Sequence, residues 1–340
     1  MREIEIRSSH QSTSRVLVGE SIANLSQYLP TSSSVILLVD EQVEKLYGKE
    51  LPDYPLLTIP VGEGSKSLQM LEQLAVRLLE LNADRGTFLV GVGGGVTCDI
   101  TGFLASVYMR GVRFGFVSTT LLSQVDASVG GKNGVNLKGY KNILGTFSQP
   151  EFVICDTAML QTLADRDFNA GLAELVKTAL IADAQLFATV ENSVESILQR
   201  NSNLLSQFVL RSVEIKADIV SRDERESGER RKLNLGHTFA HAIERYGGYN
   251  HGEAVAIGLV IASCISAKLG LIDEALVNRI EKLLTELGLP VKAAVEKSEL
   301  LNTVLKDKKR QGDSIHFVLL TGVGSVEVRA LPFVQLQELL

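Results

Sequence analysis

Five histidines occur in the 340 residues, and three of them, His237, His241 and His251, fall within the segment NLGHTFAHAIERYGGYNHGEAVAIG. His237 and His241 are four residues apart and so share one face of a predicted helix, while the turn-forming run Tyr246 to Asn250 can fold His251 back beside them. Neutral imidazoles are the commonest ligands of zinc and related divalent ions. A single histidine on such a helix is more often packing or a cap, but three together point to a metal or to catalysis. Catalytic zinc usually takes three protein ligands and leaves a position open, and a carboxylate often joins two histidines. Glu174 in Gly171-Leu-Ala-Glu174-Leu-Val-Lys177 is the candidate, because a carboxylate in so apolar a helix is costly to bury without a cation. A Glu174–Lys177 pair on a solvated face is the plain alternative, and the flanking Leu and Ala residues weigh against it. Spacing alone leaves open which two of the three histidines bind metal.

A second chemical feature is the run Gly91-Val-Gly93-Gly94-Gly95-Val-Thr-Cys-Asp99, set between an apolar strand and an apolar helix. Backbone N–H groups at such a helix N-terminus hold pyrophosphate, and glycine there keeps a Cβ from standing off the phosphate. The run departs from the usual dinucleotide fingerprint, with Val96 where a third glycine belongs and Arg113 where an acidic ribose ligand would stand. Pro60-Val-Gly62-Glu63-Gly64-Ser65-Lys66 offers a carboxylate and an amine after another strand, or an ordinary loop leading to a cap at Ser67. Asp40, ending a strand, suits either a ribose diol or a helix cap. The long Gly-rich stretch from Ser123 to Asn142 carries Asp126, Lys132, Lys141 and Asn142 and reads as a functional loop with little apolar periodicity. With Lys177, Lys216, Arg230 and Lys308-Lys309 it supplies donors for a substrate bearing phosphate and carboxylate.

These residues need a frame. Apolar runs at 35–40, 56–60, 88–92, 114–119 and 152–156 alternate with helical patterns at 68–82 and 96–109, which predicts a parallel sheet covered by helices, Rossmann-like and suited to a nucleotide. Beyond about residue 158 long amphipathic stretches take over, at 170–190, 193–222, 237–247, 252–269 and 273–287. A late strand pair, 315–320 and 326–331, is joined through TGVGS. The expectation is an α/β nucleotide-binding domain over 1–158 and an all-α domain with a small edge β-pair over 159–340, packed closely around a shared cleft.

The net charge of −6 argues against nucleic acid as a partner. Cys98, Cys155 and Cys264 make neither a disulfide framework nor a CxxC pair and are expected in core packing. The N-terminus lacks an apolar signal core, and the longest apolar run, Ala254 to Ile265, is short for a bilayer, so a cytoplasmic protein without a membrane partner is expected.

PVGEGSK, GVGGGVTCD, YMRGV, STTLLSQVDASVGGKNGVN, GLAELVKTALIAD, DERESGERRKLNLGHTFAHAIE and NHGEAVAIG stand in the order and spacing of the 3-dehydroquinate synthase family, within the sugar phosphate cyclase superfamily, and the sequence resembles that family over most of its length. The resemblance implies Glu174, His237 and His251 as ligands of zinc or cobalt, with His241 left for acid–base work at the substrate phosphate. It implies NAD as cofactor, contacted by Asp40, Glu63, Lys66, Gly93, Gly94, Gly95, Asp99, Thr119, Thr120, Lys141 and Thr162. Asp126, Lys132, Asn142, Lys177, Lys216, Arg230, Asn234 and Lys308 look like substrate contacts, Lys132, Arg230 and Asn234 among the catalytic set, and Glu226 is similar to the family's proposed base. Arg110 resembles an arginine that reaches the neighbouring subunit's phosphate site, which implies a homodimer. Ala164 and Asp167 replace the family's usual Pro and Glu outside the ligand set and bear on loop shape. The reaction implied is that of a phosphorus–oxygen lyase of aromatic amino acid biosynthesis, turning 3-deoxy-D-arabino-heptulosonate 7-phosphate into 3-dehydroquinate and phosphate. The competing readings are a metal- and NAD-dependent polyol dehydrogenase of the glycerol dehydrogenase type, for which the cationic loop is superfluous, and a non-catalytic NAD-binding regulator, which would not need the metal ligands.

Overall fold

A computed structural model describes residues 1–7, 13–295, 297–305 and 314–340; Lys308 and Lys309 lie outside the described residues. In chain order the strands are β1 (Arg2–Arg7), β2 (Thr13–Val18), β3 (Val35–Asp40), β4 (Leu56–Ile59), β5 (Phe88–Gly93), β6 (Arg113–Ser118), β7 (Lys132–Leu137), β8 (Tyr140–Phe147), β9 (Phe152–Cys155), β10 (Ser314–Gly322) and β11 (Ser325–Pro332). The helices are α1 (Glu41–Tyr47), α2 (Leu68–Glu80), α3 (Gly95–Val107), α4 (Asp165–Ala182), α5 (Ala184–Glu191), α6 (Val194–Leu198), α7 (Ser202–Arg222), α8 (His237–Arg245), α9 (His251–Lys268), α10 (Glu274–Glu286), α11 (Lys297–Leu305) and α12 (Phe333–Leu339). They fall into two compact units, Met1–Leu163 with Ser202–Arg225, and Ala164–Asn201 with Glu226–Leu340. Helix α7 thus belongs with the first unit, although it lies well past residue 158, where the alternation of strand and helix ends. It packs against β1 and a π-helical turn at Ser123–Ala127.

The first unit is built on a seven-stranded sheet of order β1-β2-β9-β6-β5-β3-β4, parallel except for β1 against β2. Strands β3 and β5 are continuous apolar runs because both of their faces are covered. Phe88 stacks on Phe152 with ring centroids 5.9 Å apart. The chain runs outward from β3 to β4 and then returns to β5 on the other side, so the direction of winding reverses between β3 and β5. Nucleotides bind at the carboxyl ends of strands at such a reversal, and Asp40 and Gly93 are the residues that end these two strands. The stretch expected to be a loop from Ser123 to Asn142 is instead the π-helical turn followed by the hairpin β7–β8, whose alternation is hidden by Gly134 and Gly145 at facing positions. The pair β1–β2 was not anticipated either.

Among the described residues, the regular structure of the second unit is helical apart from the β10–β11 hairpin. The predicted stretches 170–190 and 193–222 are each divided, at Asp183 and at residues 199–201, where Asp183 caps α5 through Leu186 N. Helix α9 is apolar all round, as expected of a helix enclosed by others. It is the one described helix long and apolar enough to cross a membrane, and 67% of it is buried inside the protein. Cys98 and Cys155 are buried free thiols and Cys264 is partly buried.

Candidate metal centre and nucleotide turn

Glu174 sits in the middle of the buried face of α4, with no exposed surface. His237 opens α8 and His251 opens α9, the latter behind an Asn250 cap closed reciprocally by Glu253. Their approach depends on Gly252: a Cβ there would stand 2.1 Å from the carbonyl oxygen of Ala170, so only glycine lets the first turn of α9 lie against α4 one turn before Glu174. His251 Nε2 is 3.0 Å and His237 Nε2 3.5 Å from Glu174 Oε1. One ligand atom from each of the three residues lies within 4.8 Å of the others. The opposite ring nitrogens have acceptors of their own: His237 Nδ1 meets the Leu235 carbonyl at 3.2 Å, and His251 Nδ1 meets Glu244 Oε1 at 3.1 Å. His241 lies one turn further along α8, its ring centroid 5.7 Å from that of His237, and stands outside the converging set.

The buried charges at this point compensate one another. Burial works to raise the carboxyl pKa of Glu174, yet Lys177 and the two imidazoles outweigh it and hold the group well below the usual carboxylate range. Lys177, itself 1% exposed, forms an ion pair with Glu174 Oε2 along the helix. Burial, then the Lys177 charge, pushes His237 down and keeps it a neutral donor. At His251 burial also favours the neutral ring, but the hydrogen bonds to Glu174 and Glu244 prevail and raise it to about 9. Two imidazole nitrogens and a carboxylate oxygen, with both imidazoles oriented from behind, are the donor set of an open catalytic zinc site.

In the first unit, Gly94 opens α3 with no side-chain cap, so the N–H groups of the first turn point to where an anion would sit. The glycines have a reason beyond the phosphate: a Cβ on Gly93 would stand 2.5 Å from Thr97 Oγ1, so the turn is also a close helix–strand contact. Thr119 N donates to the Gly93 carbonyl, and Thr120 Oγ1 bonds Ser123 Oγ at 2.9 Å. Lys66 pairs with Asp99, whose pKa is raised because burial exceeds the pull of that lysine. Glu63 accepts from Asn136 Nδ2 at 2.7 Å, and Asn136 Oδ1 accepts from Asn142 N at 2.9 Å, which ties the PVGEGSK turn to the hairpin. Asp40 caps α1 through Gln42 N at 2.9 Å, Thr162 Oγ1 bonds the Tyr47 hydroxyl at 2.6 Å, and Lys132 and Lys141 lie exposed on β7 and β8.

Lys216 Nζ donates to the Asp126 carbonyl at 2.6 Å and pairs with its carboxylate, all within the first unit. In the second unit Asn234 donates to Glu226, and Arg230 is buried. Arg110, Asn142 and Glu226 have φ of 70°, 50° and 59°, a region that L-residues rarely adopt and that is held only where surrounding structure enforces it. Each is also a site residue implied by the resemblance. Sequence reasoning missed Glu244, although the signal was present: His237, His241 and Glu244 follow at spacings of four and three, which is one helix face. It also missed Asn136, which no periodicity marks.

A parallel-sheet unit with a glycine turn beside a helical unit is the architecture that this chain shares with solved sugar phosphate cyclases. The 3-dehydroquinate synthase N-terminal domain matches residues 56–170 and the C-terminal domain residues 171–310. A 3-dehydroquinate synthase from Coxiella burnetii is 48% identical over 276 residues, spanning 79% of this chain and 77% of that protein. The chain belongs to the 3-dehydroquinate synthase family. Among solved structures, 2-deoxy-scyllo-inosose synthase complexed with carbaglucose-6-phosphate, NAD+ and Co2+ superposes with a TM-score of 0.87 at 28% identity, covering 99% of this chain and 98% of that one. The 2-epi-5-epi-valiolone synthase of Streptomyces hygroscopicus, with NAD+ and Zn2+ bound, gives 0.86 at 26% identity over 95% and 94%. A probable glycerol dehydrogenase from Sinorhizobium meliloti shares the fold alone, at 0.64 and 19% identity over 95% and 94%.

Proposed function

We propose that this protein converts 3-deoxy-D-arabino-heptulosonate 7-phosphate into 3-dehydroquinate and inorganic phosphate, as a phosphorus–oxygen lyase of the shikimate pathway in the cytoplasm. The observation that carries the reading is the convergence of Glu174 Oε1 with Nε2 of His237 and of His251 in a chain of this family. NAD supplies reversible hydride transfer when bound, and a divalent zinc or cobalt ion makes the substrate alcohol more acidic. Glu174, His237 and His251 hold the ion, while Gly93 to Gly95 at the start of α3, with Asp40, Glu63, Lys66, Asp99, Thr119, Thr120, Lys141 and Thr162, hold the nucleotide. Lys132 and Asn142 on the β7–β8 hairpin donate to the departing phosphate, and His241 holds a proton at its imidazole for the same oxygens. Asp126, Lys177, Lys216, Arg230, Asn234 and Lys308 fix the remaining polar groups of the substrate. Asn234 keeps the Glu226 carboxylate aimed for proton transfer. In a homodimer Arg110 reaches the neighbouring subunit's phosphate.

Mixing protein, NAD, Co2+ and the heptulosonate phosphate tests this directly. Phosphate should appear with no net NADH. Stoichiometric NADH without phosphate would instead identify a polyol dehydrogenase.

A further inference from the structure

Glu244 enters no step above, yet its side chain is 3% exposed and its carboxylate faces His251. A carboxylate this well buried is costly unless it is hydrogen-bonded, so its placement needs a reason. The two imidazoles of the centre are oriented in different ways. His237, with a side chain 10% exposed, gives its Nδ1 proton to a backbone carbonyl fixed by the turn before α8. His251 has a side chain 31% exposed and stands at the first position of α9, where the backbone offers its ring no such carbonyl contact among the hydrogen bonds seen. Its Nδ1 goes to Glu244 Oε1 at 3.1 Å, while Nε2 faces Glu174 Oε1 at 3.0 Å. Glu244 lies on α8 seven residues after His237, two helical turns along the same face, so one rigid helix supplies both a ligand and the partner of the other ligand.

We propose that Glu244 is the positioning residue of the metal centre: by accepting the Nδ1 proton of His251 it fixes the ring so that Nε2, once its own proton is displaced, is left to the divalent cation beside Glu174. The inference rests on the metal-site reading above. Carboxylates that act in this way on ligating imidazoles typically contribute 10- to 100-fold in metal affinity. Gln keeps an acceptor oxygen in the same place and loses the charge, whereas Leu loses both. The expected order of Co2+ affinity is therefore wild type, then Glu244→Gln, then Glu244→Leu.

The experiment is an equilibrium titration of the full chain with Co2+ against a competing chelator, following the visible absorption of the bound ion. NAD affinity and the melting temperature of the metal-stripped protein are measured in parallel. Expected for Glu244→Leu is a Co2+ Kd raised about 10- to 100-fold and an altered absorption spectrum, with NAD affinity unchanged. Glu244→Gln should be weakened less and retain the wild-type melting temperature within a few degrees; it also serves as the test if the leucine variant fails to fold. Co2+ affinity within twofold of wild type in the folded variants overturns the proposal, as does a uniform loss of folding without selective loss of Co2+. Failure of the wild type itself to bind one Co2+ would refute the metal reading instead, so the two failures are distinct.

Discussion

Replacing Lys177 by Met isolates the electrostatic cost of the buried centre. The substitution retains most of the aliphatic stem and removes the charge that pairs with Glu174, where the two side chains are 1% and 0% exposed. Removing one partner of a buried pair leaves an uncompensated charge and typically costs about 3–5 kcal/mol. His237 and His251 also contact the carboxylate, which places the expected cost at the lower end, about 3 kcal/mol. For units of this size each kcal/mol lowers the melting temperature by about 2–4 °C, so a fall of about 6–12 °C is expected in protein stripped of metal. A cation held by Glu174, His237 and His251 takes over the neutralising role of Lys177. Scanning calorimetry with saturating Zn2+ should then show the gap between variant and wild type reduced to less than half. An equal fall in both states would refute the reasoning, since Lys177 would then act through packing rather than through the charge on Glu174.

Three further outcomes follow from the same geometry. His251→Ala should lose stoichiometric metal, measured by elemental analysis after gel filtration, together with turnover; retention of one ion per chain with normal activity would remove His251 from the ligand set. Lys132→Ala should lower the phosphate-release rate by about 10²-fold, the scale of one lost charge-stabilising donor, with NAD affinity by fluorescence titration little changed. If NAD binding alone suffers, Lys132 belongs to the nucleotide. Burial, and then the Glu20 carboxylate 2.5 Å away, push the Tyr28 hydroxyl up to about 12, while the hydrogen bonds from Asn24 and Tyr28 lower Glu20. A raised tyrosine pKa gives stability that is fully present below pH 10 and lost as pH climbs through about 12. The lowered Glu20 adds stability present above its ordinary value and lost on acidification. Tyrosinate absorbance should show a group titrating near pH 12 that Tyr28→Phe removes, beside Tyr108, which burial also raises and which the substitution leaves in place; an unchanged late titration in Tyr28→Phe would contradict it.

The parallel sheet was legible because strands covered on both faces are written as unbroken apolar runs, as at Val35–Asp40 and Phe88–Gly93, and short helices between them leave few other connections. The members of the candidate metal cluster were legible as residue types, since histidines close together in the chain and a carboxylate in an apolar helix are local facts. The β7–β8 hairpin was not, because glycines at its facing positions erase the alternation that marks a strand. By itself the sequence determined the order of elements, the glycine turn and the chemical identity of the donors. Only the tertiary structure decided that α7 joins the first unit, that Gly252 brings His251 against Glu174, and that Glu244 stands behind that ring. Those are relations between residues distant along the chain, fixed by which surfaces pack together, and hydrophobic periodicity records that a face is buried without recording against what.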